Sequence, residues 1–104
     1  MPAAPLPAEE LERLNALRAS GLLESGHDPG LGAIVRQAAV LWETPISAVT
    51  LLDGTYLHFK ARLGLGMPKI SRDAAFCGYA ILQAEPLVVL DAQEDWRFAD
   101  NPLV

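Results

Sequence analysis

Residues 45–65, PISAVTLLDGTYLHFKARLGL, have the pattern of a β-hairpin, and the rest of the chain is arranged around them. Ile46–Leu52 is an apolar run interrupted only by two hydroxyl residues, which is typical of a strand covered on both faces. Asp53 and Gly54 follow as a hairpin-turn signal, because glycine tolerates the positive φ that such turns need. The stretch therefore predicts two antiparallel strands joined by a tight turn.

The second strand of the hairpin alternates between apolar and polar residues. Its apolar positions are Leu57, Phe59, Ala61 and Leu63, and its polar positions are Tyr56, His58, Lys60 and Arg62. Because successive side chains of a strand point to opposite faces, this strand has one dry side and one wet side. We expect the continuous apolar strand to be the inner one and the alternating strand to be the outer one.

Two helices are predicted ahead of the hairpin. The first runs from Pro7 to Ser20 and ends at Gly21. The second begins after Asp28 as N-cap and runs from Pro29 to Glu43. Its broad apolar face consists of Leu31, Ile34, Val35, Ala38, Leu41 and Trp42. Residues 1–6 are rich in proline and alanine, and we expect them to be disordered.

A short helix and a third strand are predicted after the hairpin. The helix lies within Ser71–Gln83, with Asp73 as its cap and with Phe76, Ala80 and Ile81 on one side. Gly78 weakens this helix, so a neighbouring group is expected to pack closely against it. Leu87–Leu90 is apolar and reads as the third strand, followed by an acidic turn and a helical fragment over residues 91–101. The predicted fold class is α+β.

Length and charge limit the possible functions. The 104 residues suffice for one small domain, and the net charge of −5 argues against nucleic acid as a partner. No apolar run approaches the roughly 20 residues that a membrane-spanning helix needs. The first residues lack the basic and apolar regions of a secretory signal. We therefore expect a soluble cytoplasmic protein with no membrane insertion.

In this order, the pieces resemble the GAF domain, a small-molecule sensing and signalling module, in the bacterial branch found ahead of histidine kinases and diguanylate cyclases. The resemblance lies in PISAVTLLD (45–53), HFKARLGL (58–65), AFCGYAI (75–81) and PLVVLDAQEDWRFADNPLV (86–104). It implies an antiparallel sheet with helices on both faces, a pocket between the sheet and one helical layer, and ligand sensing rather than catalysis.

The resemblance also implies two further central strands and a closing helix after Val104. Residues 7–104 would then be the N-terminal portion of a GAF-like domain that is incomplete at its C-terminus. Without the central strands, Ile46–Leu52 would expose an apolar edge, and Leu87–Leu90 would be detached from the sheet. We expect the missing pairing to come from a longer chain or from a second copy.

Four residues are candidates for ligand binding, namely Phe76, Cys77, Tyr79 and Trp96. Ligand pockets are mostly apolar with a few placed polar groups, and Tyr79 offers a hydroxyl. The sole cysteine, Cys77, is open to several interpretations: a redox sensor, a covalent attachment point, a nucleophile, or a small buried side chain. Burial is favoured, and Arg72 is the nearby charge that could stabilise a thiolate. The ligand itself, and any cofactor, are unknown.

Metal binding is not predicted from the remaining polar residues. His27 and His58 lack a cysteine or carboxylate at ligand spacing around both. The acidic residues Asp91, Glu94, Asp95 and Asp100 lack the glycine-containing pattern of a calcium loop. Asp95 and Arg97 indicate local pairing instead. These polar groups are expected to have structural uses.

The sequence thus predicts a non-catalytic sensory or regulatory module of bacterial signal transduction that binds a small molecule or mediates dimerisation. One alternative is a pure interaction module whose helices pair with a partner, without any ligand. Another is part of a sensor histidine kinase or a diguanylate cyclase. A third is an enzyme using Cys77 in the manner of the GAF-related methionine sulfoxide reductases, which need more than one cysteine. The expected partners are a second copy or the remainder of a longer signalling protein.

Overall fold

The structure, a computed structural model, describes residues 2–104 and has an α+β fold with an antiparallel sheet, as predicted. Met1, the first residue of the predicted disordered segment, lies outside the described residues. The elements in chain order are α1 (Glu10–Ser20), α2 (Pro29–Trp42), β1 (Ser47–Leu52), β2 (Tyr56–Leu63), β3 (Lys69–Ser71), a 3-10 turn (Arg72–Ala74) and α3 (Cys77–Ala80).

The predicted hairpin is present as β1 and β2, but the roles of its two strands are reversed. The sheet order is β1-β2-β3, so the alternating strand is central and the apolar strand lies at an edge. In the register, Leu52 pairs with Leu57 and Leu57 pairs with Ile70. The prediction was wrong because β3 was not recognised: its residues were assigned to the loop after β2 and to the start of the segment with the short helix. Three residues after a Gly- and Pro-rich loop are too few to show a strand pattern.

The hairpin turn is held by a carboxylate rather than by a special glycine conformation. Asp53 Oδ1 accepts hydrogen bonds from the backbone amides of Thr55 (2.7 Å) and Tyr56 (2.6 Å). The backbone amide of Asp53 donates to the Tyr56 carbonyl at 3.0 Å. Gly54 does not have a positive φ, so the turn was predicted at the right place for the wrong reason.

Both predicted helices form, but α1 begins at Glu10 rather than at Pro7, and α2 ends at Trp42, one residue before the predicted Glu43. The other two ends follow the sequence signals. Gly21 ends α1 in the left-handed conformation with φ of 70°. Asp28 caps α2, since its carboxylate accepts hydrogen bonds from the amides of Gly30 and Leu31. α2 packs against β1 and β2, with Val35 and Ala39 as its buried residues.

Half of the predicted apolar face of α2 is exposed within the described chain. Ile34, Leu41 and Trp42 are 55%, 74% and 73% exposed, whereas Val35 is buried. The sheet beneath α2 has only three strands and accepts a narrow stripe of the helix. The sequence therefore predicted the helix correctly but overestimated how much of it is buried.

The third predicted strand, Leu87–Leu90, is not part of the sheet, which was the arrangement expected for the chain without further strands. β1 and β3 pair with β2 on its two sides, and Leu87–Leu90 pairs with no strand of this sheet. Val88 and Leu90 are 70% and 97% exposed as a result. The predicted helical fragment over residues 91–101 is a series of turns.

The core has two centres on the α3 side of the molecule. Leu52, Leu57 and Ala75 form the first, with partly buried side chains packed around them: Phe59, Ile70, Cys77 and Ile81. Phe98 is the second centre and is fully buried. In residues 2–104 no helix combines the length and the apolar character that crossing a bilayer requires.

Candidate functional site

An aromatic cluster brings two of the four candidate ligand residues together. Phe76 stacks on Phe98 with ring centroids 4.0 Å apart and planes inclined by 16°. Tyr79 meets the same ring edge-on at 5.5 Å. Phe98, which sequence reasoning did not single out, is therefore the residue around which the other two are arranged. Its signal in the sequence was weak, because it lies in an acidic stretch without apolar periodicity.

The short helix α3 is covered by the N-terminal segment. The Tyr79 hydroxyl donates a hydrogen bond of 2.8 Å to the carbonyl of Pro2. A Cβ atom added to Gly78 would lie 3.3 Å from the Cβ of Ala4, so the predicted close packing at this glycine is present. The hydroxyl proposed for a ligand is thus engaged by the chain itself.

Cys77 points to the sheet, although Phe76 and Tyr79, close to it in the sequence, belong to the aromatic cluster. Its Sγ lies 3.7 Å from the hydroxyl of Thr50, and the residue is half-buried among the first core centre. Arg72, considered as a thiolate-stabilising charge, is buried and directs its guanidinium to Glu10 and to the Asp53 carbonyl. Packing thus accounts for the thiol's position without an activating partner.

A network of charged groups joins α1 to the hairpin turn, and the sequence did not reveal it. Glu10 forms ion pairs with Arg13 (2.8 Å) and with Arg72. Arg13 also donates to the carbonyl of Leu52, and Arg72 donates to the carbonyl of Asp53 at 2.9 Å. The two arginines lower the pKa of Glu10 from 4.5 to about 2 by hydrogen bonding, against the opposing effect of partial burial.

His58, expected to be an ordinary surface residue, completes the turn. Partial burial by itself would raise the pKa of Asp53, but the hydrogen bonds that its carboxylate accepts lower it from 3.8 to about 2. These bonds come from the amides of Tyr56 and Thr55 and from His58, whose Nε2 lies 2.6 Å from Oδ2. The imidazole is therefore part of the turn structure.

Lowered pKa values of Glu10 and Asp53 predict acid sensitivity. The unfolded chain binds protons at each site before the folded chain does, so charged carboxylates contribute stability above the ordinary pKa values. We expect this contribution to be lost as the pH falls from about 4.5 to about 2. Urea unfolding across this range measures it. In Glu10→Gln the decline should be shallower, whereas Glu12→Gln, at an exposed position, should match the wild type; parallel curves for all three would contradict the expectation.

Lys60 was assigned to the wet face of β2 and is half-buried in the structure. Its ammonium group donates hydrogen bonds to the carbonyls of Ser25 and Gly26 and to the Ser25 hydroxyl. The connector between α1 and α2 is thereby held to the central strand. Arg62 bonds to the Leu65 carbonyl at 3.1 Å. These two cations have structural partners rather than an exposed anion-binding arrangement.

Trp96 lies apart from the other three candidates, in a shallow groove of about 700 Å³ near the end of the chain. We call this the acidic groove; it is lined by Val88, Leu90, Asp91, Glu94, Asp95, Trp96 and Arg97. Trp96 is 73% exposed. The predicted pair of Asp95 and Arg97 is present, with the Arg97 guanidinium donating at 2.8 Å and 3.0 Å. This bonding lowers the pKa of Asp95.

The four candidate residues thus occupy three places. Phe76 and Tyr79 share the aromatic cluster, Cys77 faces the sheet, and Trp96 lines the acidic groove. No group of three or more histidine, cysteine, aspartate or glutamate side chains suited to a metal ion occurs within residues 2–104. The role of the four candidate residues in ligand binding stays a prediction.

The chain is similar in sequence to part of a protein named as a cyclic di-GMP phosphodiesterase. All 104 residues align at 38% identity with a protein of Pseudomonas aeruginosa named cyclic di-GMP phosphodiesterase. The chain spans 18% of the length of that relative. No family model matches the chain. The similarity therefore concerns a limited segment of the relative, whereas the relative's name refers to the whole protein.

Proposed function

We propose that the chain is a non-catalytic, GAF-type sensory or regulatory module of a cyclic di-GMP signalling protein. One observation supports this above all: every residue of the chain aligns with a segment that makes up 18% of a cyclic di-GMP phosphodiesterase. That segment has the size of a single small domain within a much longer protein. The α+β architecture and the GAF-like order of sequence motifs agree with an accessory domain.

The state of the carboxylates favours regulation over catalysis. A general base works best with a pKa near the operating pH. Glu10 and Asp53 instead have pKa values of about 2, and each is engaged with basic side chains or backbone amides. Asp95 is likewise paired with Arg97. These acids hold the fold together, and their low pKa makes them poor proton acceptors.

Trp96 is the candidate with most of its side chain exposed for contact with a ligand. Phe76 and Tyr79 already pack on Phe98, so a ligand at those residues would have to displace aromatic contacts. The alternative of an interaction module without a ligand is favoured by the exposed apolar face of α2. In either case the module would act on the remainder of a longer signalling protein or on a second copy.

A ligand screen separates these possibilities. The chain is mixed with cyclic di-GMP, cyclic AMP, cyclic GMP and small metabolites, and unfolding is followed by dye fluorescence. A ligand at 100 times its dissociation constant adds about 2.7 kcal/mol to stability, which raises the unfolding temperature measurably. A shift that is lost in Trp96→Ala would support sensing. No shift with any compound would favour the interaction module.

The non-catalytic part of the proposal has its own test. The chain is incubated with cyclic di-GMP and divalent cations, and the linear dinucleotide product is measured by chromatography. We expect no product. A second arm exchanges the matched segment of the Pseudomonas aeruginosa relative for this chain and measures hydrolysis by the chimera. Retained hydrolysis with an altered rate supports a regulatory segment, and hydrolysis by the isolated chain would contradict the proposal.

A further inference from the structure

Two exposed apolar surfaces of this chain have complementary charge. The first is the acidic groove, where Val88, Leu90 and Trp96 are 70%, 97% and 73% exposed. The second, which we call the α2 face, consists of Arg36, Gln37, Val40 and Leu41. It lies on the opposite side of α2 from the buried residues Val35 and Ala39. Exposed apolar patches of this kind mark interaction sites.

The net charges of the two surfaces are of opposite sign. Within residues 2–104, Arg36 and Glu94 take part in none of the salt bridges. Arg36 is the single charged residue in the sequence of α2, PGLGAIVRQAAVLW. In the groove, Arg97 is neutralised by Asp95, which leaves Asp91 and Glu94 as the uncompensated charges. The groove is therefore negative, and the α2 face is positive.

We propose that the acidic groove of one copy binds the α2 face of a second copy. An apolar helix face laid into a groove with an exposed tryptophan is a common recognition mode. Arg36 of α2 then faces Asp91 and Glu94 of the groove. A symmetric α2–α2 contact would enclose Arg36 without any acidic residue on the facing helix, and an unpaired enclosed charge is costly. This inference shares Trp96 with the proposed ligand sensing but requires no ligand, and its charge variants leave Trp96 unchanged.

The contact is heterologous, because two different surfaces meet, so each copy can bind one neighbour on each side. Only a few side chains contribute from each copy. They would bury less surface than the roughly 800 Å² per partner of a standard stable interface. The association is thus weak and becomes visible at high protein concentration. It also weakens as salt screens the opposite charges.

Sedimentation velocity of the full chain from about 1 μM to about 1 mM tests the proposal over the range of a weak interface. We expect the mean sedimentation coefficient to rise with concentration, and less so in high salt. Arg36→Glu and Glu94→Arg should each reduce the association constant at least about tenfold, because the first opposes like charges and the second cancels the net negative charge of the groove. Arg18→Glu and Glu12→Arg, at exposed positions of α1, are the matched controls and should associate like the wild type.

Mixing the two variants gives the decisive arm. In Arg36→Glu both surfaces are negative, and in Glu94→Arg the groove has lost its net negative charge, so each variant associates poorly alone. In the equimolar mixture the unchanged groove of Arg36→Glu binds the unchanged α2 face of Glu94→Arg. A mixture that stays monomeric would overturn the proposal. So would a wild type that is monomeric throughout, or an Arg36→Glu variant that associates as well as the wild type, which would indicate α2–α2 pairing. Leu90→Ser, which leaves the charges intact, should also abolish association; far-ultraviolet circular dichroism verifies that every variant is folded.

Discussion

Replacing Phe98 with alanine is expected to lower the free energy of unfolding by about 3–5 kcal/mol, as for other large-to-small changes at buried aromatic positions. Phe98 is fully buried and supports the rings of Phe76 and Tyr79. The Arg97 guanidinium also lies 4.9 Å from its ring centroid. Truncation removes all these contacts at once and leaves a cavity between α3 and the last turns of the chain.

Urea unfolding followed by circular dichroism measures this loss. Trp96→Ala is the matched control, since Trp96 is a larger aromatic residue two positions away and is 73% exposed. We expect the control to change stability by no more than about 0.5 kcal/mol, as surface substitutions usually do. Equal losses in the two variants would show that Phe98 is not the centre of the aromatic cluster.

The second large effect is expected at Gly64, just after β2. This residue has φ of 77°, and a Cβ atom at this position would lie 2.1 Å from the carbonyl oxygen of Pro45. Gly64→Ala therefore combines left-handed strain with a collision against backbone atoms that cannot rotate away. We expect a loss of about 3 kcal/mol, the upper end of the cost of local backbone strain.

Gly66→Ala is the control for this position, because no heavy atom lies within 4 Å of its added Cβ. Reduced freedom of the unfolded chain makes that change neutral or stabilising by up to about 1 kcal/mol. The two variants are compared by thermal unfolding at equal concentration. If Gly64→Ala unfolds at the same temperature as Gly66→Ala, the close approach of the ends of the hairpin is not as described.

The sequence predicted the elements whose signals are local. Asp28 and Gly21 mark helix ends through contacts with their immediate neighbours, and both were identified correctly. The hairpin was also found, because its two strands are adjacent in the chain. β3 was missed since a three-residue strand shows no periodicity. The assignment of inner and outer strands then failed with it.

The sites were harder to predict because their members are far apart in the chain. Glu10 and Arg72 are separated by 62 positions, and neither lies in a recognisable motif. Cys77 and Tyr79 are only two positions apart in the sequence but face different parts of the molecule, and Trp96 lines a third place. Side-chain direction in short turns is set by tertiary packing, which residue spacing does not reveal.

The polar attachment of α1 affects how the chain responds to heat and denaturant. No residue of α1 is classed as buried, and the helix is held by the bonds of Glu10 and Arg13. Heat-capacity changes and denaturant m-values scale with the surface that unfolding exposes. Detachment of α1 alone would thus add little to either quantity. Both quantities would therefore report mainly on the sheet and its two core centres, whether or not α1 had already detached.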